Sequence, residues 1–375
     1  MRQLSELEIL AKLIEFDTNS KDQKNYKKIA SFIKQVVLDN NGIANIYSPK
    51  NKEKPNIIAY FDFNKKETIG FNAHYDTVPV NKSEWKTDPF KLSIIGNKAF
   101  GRGASDDKSG IAIALSLIQN IKSNANIELI FTCDEEIGSN DGLKWLIKNK
   151  RKELKSNSII VLDCEDKITI GASGVSSGKI TIKGKEVHAG FPFLGKNAIE
   201  LSLPFLEELN RFQKIIDQKS KYYGDKSRKI YNRFSITMIN SGIKENLIPG
   251  MLEARFDLRS NPETDLNILM NKFKNYFNSI KNKYKINAEL KFLEFHNGYV
   301  ADMNSKIIKK LIETAKQKKV YASFGGLDAS FFNQVGIPTV CYGAQNMSIH
   351  KSNEYVDINK ISKIKKQLFK ILENF

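Results

Sequence analysis

The chain has 375 residues, 41% of them hydrophobic, which is long enough for two domains with separate cores. Its net charge is +17, but only eight of its 59 basic residues are arginine and Asn and Ile are abundant, so the charge indicates compositional bias and not a nucleic-acid-binding surface. No CxxC pair, signal-peptide pattern or run of roughly 20 apolar residues is found, which predicts a cytoplasmic protein without disulfides or membrane spans.

The first part of the chain shows apolar residues at helical spacing and then short extended apolar runs. The predicted elements are helices over 4–16 and 26–38, followed by strands of one sheet over 43–47, 56–63 and 68–73. The third strand delivers His74 to its carboxyl end. Asp76 lies two residues further on, close enough to hold the second ring nitrogen of an imidazole that binds a metal. Alone, this pair is equally typical of a structural histidine.

A glycine-rich loop with two acids precedes the next predicted helix, 109–121. Gly101 and Gly103 lead to Asp106 and Asp107, and the Walker spacing GxxxxGK[ST] is absent, so nucleotide binding is not favoured. The dipole of the helix favours negative charge at this junction. Two adjacent carboxylates nevertheless repel each other unless a cation joins them.

Two further predicted strands end in acidic residues. Strand 126–133 is followed by Asp134, Glu135 and Glu136, and strand 158–162 by Asp163 and Glu165. Each cluster alone is typical of a solvated turn. Because several acidic clusters and one histidine follow strands of a single α/β pattern, we expect them to meet at the carboxyl edge of the sheet and to bind metal.

Three segments together resemble the co-catalytic di-zinc metallopeptidase and deacylase family. They are His74-Tyr75-Asp76-Thr77-Val78-Pro79, the segment from Gly101 to Lys108, and Asp134-Glu135-Glu136. The family includes acetylornithine deacetylase, succinyl-diaminopimelate desuccinylase, aminoacylase, glutamate carboxypeptidase and peptidase T. The similarity covers nearly the whole chain and implies an α/β catalytic domain, in which helices flank a mixed sheet.

A second pattern begins near residue 176. Strands 178–184, 233–238, 252–258 and 286–292 and helices 197–212 and 265–280 follow in the order β-α-β-β-α-β, which predicts an inserted ferredoxin-like α+β module. We assign 175–293 to this module and 1–174 and 294–375 to the catalytic domain. The later segment is expected to contain helices 305–317 and 359–372 and a strand over 337–342. The module resembles the family's lid, which implies a homodimer formed through it.

The resemblance implies two Zn²⁺ ions, for which Co²⁺ is a possible substitute. The implied ligands are His74, Asp106 and Asp163 for one ion, and Asp106, Glu136 and His350 for the other. Glu165 remains a rival to Asp163, because the desuccinylases have a glutamate in this region.

Further roles also follow from the resemblance. Zinc lowers the pKa of a bound water, and Glu135, which is not needed as a ligand, would act as the general base. Asp76 would orient His74, and His188 of the partner subunit would bind the developing oxyanion. The implied substrate-binding residues are Asn246, Arg259, Gly325 and Gly326; an arginine can grip a carboxylate through two hydrogen bonds.

The implied reaction is hydrolysis of the amide bond of a small N-acyl amino acid. Hydrolysis of short peptides, by a di- or tripeptidase or a carboxypeptidase, is the alternative within the family. A non-catalytic metal- or partner-binding protein is the alternative from another class, and loss of Glu135 or of a ligand would indicate it. One departure, Ser109 between Lys108 and Gly110, is closer to peptidase T.

Overall fold

The computed structural model describes residues 3–50, 52–119 and 121–375. They form two compact units: unit 1 is Met1–Ile170, Ala301–Val320 and Phe331–Phe375, and unit 2 is Gly171–Val300 and Tyr321–Ser330. Segment 321–330, which the sequence pattern assigned to the catalytic domain, lies in unit 2. The reason is that Ser323 O accepts a hydrogen bond from Ser173 N (3.1 Å) and Phe324 O accepts one from Arg233 (2.6 Å). Within the described ranges, no helix has the length and hydrophobicity needed to span a lipid bilayer.

The first segment of unit 1 contains every helix and strand expected from its apolar patterns, together with four elements that these patterns did not indicate. The helices are α1 Glu6–Ile14, α2 Tyr26–Asp39, α3 Lys108–Leu117 and α4 Leu143–Lys150. The strands are β1 Ile43–Tyr47, β2 Asn56–Phe61, β3 Thr68–His74, β4 Ser93–Ile95, β5 Lys98–Phe100, β6 Asn126–Thr132, β7 Ser158–Val161 and β8 Thr169–Ala172, which continues into unit 2. The sequence patterns missed α4, β4, β5 and β8.

Unit 2 contains a β-α-β-β-α-β module. The strands of unit 2 are β9 Gly174–Lys183, β10 Val187–His188, β11 Lys219–Tyr223, β12 Lys229–Tyr231, β13 Arg233–Ser241, β14 Leu247–Ile248, β15 Met251–Ser260, β16 Asn287–His296, β17 Tyr299–Val300 and β18 Tyr321–Ser323. Its helices are α5 Ala198–Asn210, α6 Phe212–Ile216 and α7 Leu266–Tyr284, and the module consists of β9, α5, β13, β15, α7 and β16. The main sheet has the order β13-β15-β9-β16, antiparallel throughout. This is the strand order 4-1-3-2 of a ferredoxin-like module, read from the opposite edge.

The later segments of unit 1 complete its sheet. They contain α8 Lys306–Ala315, α9 Ala329–Gln334, which begins in unit 2, β19 Thr339–Cys341, β20 Tyr355–Asp357 and α10 Ile358–Glu373. Within unit 1 the sheet has the order β1-β2-β6-β3-β7-β19. Strands β6, β3, β7 and β19 are parallel, whereas β1 and β2 are antiparallel to their neighbours. The carboxyl ends of the four parallel strands therefore lie along one edge.

Helix α3 is buried along its whole length, because its side chains are mostly small or apolar. It begins directly after the two acids of the glycine-rich loop, with Asp107 as its N-cap. A Cβ atom at Gly110 would lie 2.6 Å from Asp107 Oδ1, so the first turn of the helix requires glycine there.

Candidate metal centre

His74 is the last residue of β3, and its side chain is buried. Its Nε2 lies 2.9 Å from Asp106 Oδ1 and 3.9 Å from Asp163 Oδ1. On the other side of the ring, Nδ1 lies 3.1 Å from the carbonyl oxygen and 3.4 Å from the carboxylate of Asp76. Contacts of this kind fix the tautomer and orientation of an imidazole ligand. The ring therefore presents Nε2 to the two carboxylates.

Asp106 lies between two groups of potential ligands. Its Oδ2 is 3.1 Å from His350 Nε2, and that nitrogen is 3.0 Å from Glu136 Oε2. Ligand atoms of His74, Asp106 and Asp163 all lie within 4.8 Å of one another, as do those of Asp106, Glu136 and His350. The structure thus brings together the five residues that the sequence implied as ligands, with Asp106 common to both groups.

Asp76 also anchors the turn that carries Glu135 and Glu136. Its Oδ1 accepts a hydrogen bond from Glu135 N (3.2 Å), and its Oδ2 accepts one from Glu136 N (3.1 Å). Asp134, the residue before this turn, has a φ of 69°, and its carboxylate pairs with Lys54 at 2.6 Å. One carboxylate therefore holds both His74 and the turn after β6.

Asp163 and Glu165 have different surroundings. Asp163 belongs to the first ligand group, whereas the carboxylate of Glu165 pairs with Lys167 at 3.1 Å. The geometry therefore favours Asp163 as the ligand. Gln345, which the sequence analysis did not single out, donates from Nε2 to Asp106 Oδ1 (3.1 Å) and to Asp163 Oδ1. The signal for Gln345 is its position four residues after the end of β19, at the same edge of the sheet.

The carboxylates around the two imidazoles change the pKa values of the whole cluster. Burial lowers the pKa of His74, but hydrogen bonds to Asp106 and Asp76 outweigh it and raise that pKa well above its ordinary value. Hydrogen bonds to Asp106 and Glu136 raise the pKa of His350 to about 10. The pKa of Asp106 is lowered, because its contacts with both histidines outweigh its burial. The site therefore favours positive charge between its carboxylates.

The donor set fits a divalent cation. Imidazole nitrogens and carboxylate oxygens are the ligands that zinc and similar metals take in catalytic sites. Among the described residues, the buried Oε1 of Glu136 has no hydrogen-bond partner, which is costly unless another group compensates it. A cation held by the second group would supply that compensation.

Metal binding is expected to release protons at pH 7, because a protonated imidazole cannot bind a metal. The pKa values of His74 and His350 are both raised by their carboxylate partners, which favours the protonated form of each ring in the metal-free protein. The apparent affinity for Zn²⁺ should therefore rise with pH and stop rising only above the pKa values of both imidazoles. Titration calorimetry in buffers of different ionisation enthalpy measures the proton number. His296→Gln, outside both groups, should leave it unchanged, and release of no protons would contradict the expectation.

The remaining site residues implied by the sequence lie in unit 2. His188 is exposed, and its Nδ1 accepts a hydrogen bond from Gly190 N (3.0 Å). Asn246 is also exposed, and its carbonyl oxygen accepts from Ala189 N (2.9 Å). Asn246 is thus tied through its backbone to the segment that carries His188.

Arg259, Gly325 and Gly326 are the other implied substrate-binding residues in unit 2. Arg259 Nε donates to the carboxylate of Asp257 at 2.9 Å. Gly325 N donates to Ser323 Oγ (3.0 Å), and a Cβ at Gly326 would lie 3.3 Å from His296 Nδ1. A larger residue at Gly326 would therefore press on the imidazole of His296.

Comparison with known proteins agrees with this geometry. Residues 70–374 match the model of the peptidase family M20/M25/M40. An uncharacterized metallohydrolase of Methanocaldococcus jannaschii is 29% identical over 92% of this chain and 91% of its own. A succinyl-diaminopimelate desuccinylase of Buchnera aphidicola is 30% identical over 86% of this chain and 87% of its own. The crystal structure of an M20 family metallo-carboxypeptidase from Sulfolobus solfataricus has the same fold, with a TM-score of 0.82, 22% identity and coverage of 99% of both chains.

Fold, site and relatives together define a metal-dependent hydrolase of amide or peptide bonds. The chain belongs to peptidase family M20/M25/M40. The resemblance stated from the sequence and the mixed α/β fold it implied are both confirmed.

Proposed function

We propose that this protein hydrolyses the amide bond of a small N-acyl amino acid, with two Zn²⁺ ions that Co²⁺ can replace. The observation that carries the proposal is the pair of ligand groups sharing Asp106, with Glu135 next to the ligand Glu136 in the chain. The ions would be held by His74, Asp106 and Asp163 and by Asp106, Glu136 and His350. When bound, two such ions polarise the scissile carbonyl and lower the pKa of water.

Glu135 is the general base of this proposal. It accepts a proton from the attacking water and returns it to the leaving nitrogen. Its backbone N–H is held by Asp76, the residue that also contacts His74. The backbone of the base and the imidazole of His74 therefore share one support.

The substrate contacts of the proposal come from unit 2. His188 of the partner subunit donates a hydrogen bond to the oxyanion, which places the reaction in a homodimer formed through this unit. Arg259 grips the substrate carboxylate, and Asn246, Gly325 and Gly326 also contact the substrate. The substrate is a small molecule, the compartment is the cytoplasm, and neither nucleic acid nor membrane takes part.

A peptidase reaction is the second candidate. The structural neighbour from Sulfolobus solfataricus is named a metallo-carboxypeptidase, whereas the relative from Buchnera aphidicola is named a desuccinylase. Both reactions would use the same base and ions, because each breaks an amide bond next to a carboxylate. They differ in the acyl group alone.

A panel of N-acetyl and N-succinyl amino acids and dipeptides, with Zn²⁺ or Co²⁺ added, tests the proposal through release of free amine. We expect turnover of an N-acyl amino acid and about 10- to 100-fold lower kcat/KM for its methyl ester, which lacks the charged hydrogen-bond acceptor. Faster cleavage of dipeptides would favour the peptidase reaction. Absence of turnover on every compound would contradict both candidates.

A further inference from the structure

The carboxylate of Glu354 is buried against the loop that carries Asp106, with 1% of the residue exposed. Its Oε1 accepts hydrogen bonds from Ser105 N (2.8 Å) and Asp106 N (3.0 Å). Its Oε2 accepts from Gly103 N (3.1 Å) and from Arg102 Nη1 (2.7 Å). Four donors match the acceptor capacity of one carboxylate, so the side chain has a single well-defined position.

Glu354 also belongs to the segment that supplies His350 to the second ligand group. It lies four residues after His350, which has a φ of 61°. Its carbonyl oxygen accepts a hydrogen bond from Gly101 N (3.0 Å), and the next residue, Tyr355, pairs with Phe100 between β20 and β5. The segment with His350 and the loop with Asp106 are thus joined through the backbone as well as through the Glu354 side chain.

A buried salt bridge with Arg102 would alone be an ordinary structural feature. Three of the four donors, however, are backbone N–H groups of the glycine-rich loop, and one of them belongs to Asp106 itself. A change at Glu354 would therefore displace the backbone of the residue that both ligand groups share. Arg102 contributes one donor, and its guanidinium lies 5.2 Å from the centre of the Trp85 ring.

We propose that Glu354 is a positioning residue for the metal centre: it fixes Asp106 relative to His350, so that both ligand groups keep their geometry. This inference rests on the proposed function. Side chains that orient ligands in this way typically contribute about 10- to 100-fold to metal affinity. Glu354 performs the task through backbone donors, and it is a member of neither ligand group.

The test compares Glu354→Gln with Glu128→Gln. The amide keeps the size of the side chain but turns an NH₂ group toward two of the four donors. Glu128 is a matched control, because it is also a buried carboxylate in unit 1 and accepts hydrogen bonds from Lys155 N (2.9 Å), Ser156 N (3.0 Å) and Ser156 Oγ. Both variants should melt at lower temperature than the parent, since each places an amide against several donors.

Only Glu354→Gln is expected to bind Zn²⁺ more weakly, by about 10- to 100-fold in competition with a chelator. The rise in melting temperature on adding Zn²⁺ should shrink in parallel. Equal Zn²⁺ affinity in Glu354→Gln and the parent would overturn the proposal. An equal loss of affinity in Glu128→Gln would also overturn it, because the effect would then be general destabilisation.

Two further variants keep the test decisive if Glu354→Gln does not fold. Glu354→Asp keeps the charge but shortens the side chain by one methylene group, and we expect an intermediate loss of Zn²⁺ affinity. Arg102→Lys leaves the three backbone donors in place, so its affinity should stay close to that of the parent. If Arg102→Lys lost affinity while Glu354→Asp kept it, the salt bridge and not the backbone contacts would be responsible.

The readout separates this inference from the proposed function. Zn²⁺ affinity is measured without substrate, so a failure to find turnover in the panel leaves the comparison of variants intact. Conversely, if the parent enzyme hydrolyses N-acyl amino acids and Glu354→Gln retains its Zn²⁺ affinity, the proposed function stands and the positioning role fails.

Discussion

Glu135→Ala is expected to lower kcat by about 10² to 10⁴-fold while both ions remain bound, because general-base catalysis contributes rate enhancements of that size. The turn that carries Glu135 is held through its backbone by Asp76, so removal of the side chain leaves the neighbouring Glu136 in place. Metal analysis after dialysis gives the ion content, and single-substrate kinetics give kcat. KM should change little.

Glu165→Ala is the matched control for this prediction. Glu165 also follows a strand of the sheet, but its carboxylate pairs with Lys167 and lies outside both ligand groups. Its substitution should leave both kcat and ion content close to those of the parent. Normal turnover in Glu135→Ala would refute the assignment of the base, and loss of one ion in Glu165→Ala would make Glu165 the ligand in place of Asp163.

Asp106→Asn is expected to have the largest effect on the metal content. Asp106 contacts His74 through one oxygen and His350 through the other, so both ligand groups lose a charged member at once. We expect loss of both ions on dialysis and a fall in kcat/KM of about 10³-fold or more, since metal ions supply several kcal/mol of transition-state stabilisation.

Asp163→Asn provides the comparison, because Asp163 belongs to the first group alone. This variant should keep about one ion per chain. Asp166→Asn, whose carboxylate pairs with Lys360 and Lys363 and belongs to neither ligand group, should keep two. Two tightly bound ions in Asp106→Asn would contradict the shared-ligand arrangement, whatever the activity.

The elements that position the site were predictable because their signals are local. Strands β3, β6 and β7 are short apolar runs, and parallel strands bring their carboxyl ends to one edge. The residues at or shortly after the ends of these strands, namely His74, Glu136 and Asp163, were therefore expected to meet. The ligand groups themselves came from the family resemblance, since spacing alone does not distinguish Asp163 from Glu165.

Other parts of the site could not be predicted because their contacts join distant residues without a periodic pattern. Glu354 contacts Asp106 across 248 positions, and Gln345 contacts Asp163 across 182. For Gln345 the one signal is its position four residues after the end of β19, and for Glu354 the residue type alone is that of a surface residue. The three-residue strands β4, β5 and β20, which connect these segments, are too short for alternation to be recognised.

The order of the proposed ligands along the chain has a consequence for biosynthesis. His74, Asp106 and Asp163 precede Gly171–Val300 of unit 2, whereas His350 follows it. A ribosome therefore makes every ligand of the first group before it begins that part of unit 2, and it adds the last ligand of the second group only afterwards. Because domains generally fold as units, and Glu354, which accepts a hydrogen bond from Asp106 N, lies in the last segment of unit 1, neither ligand group reaches its final geometry before segment 331–375 has emerged.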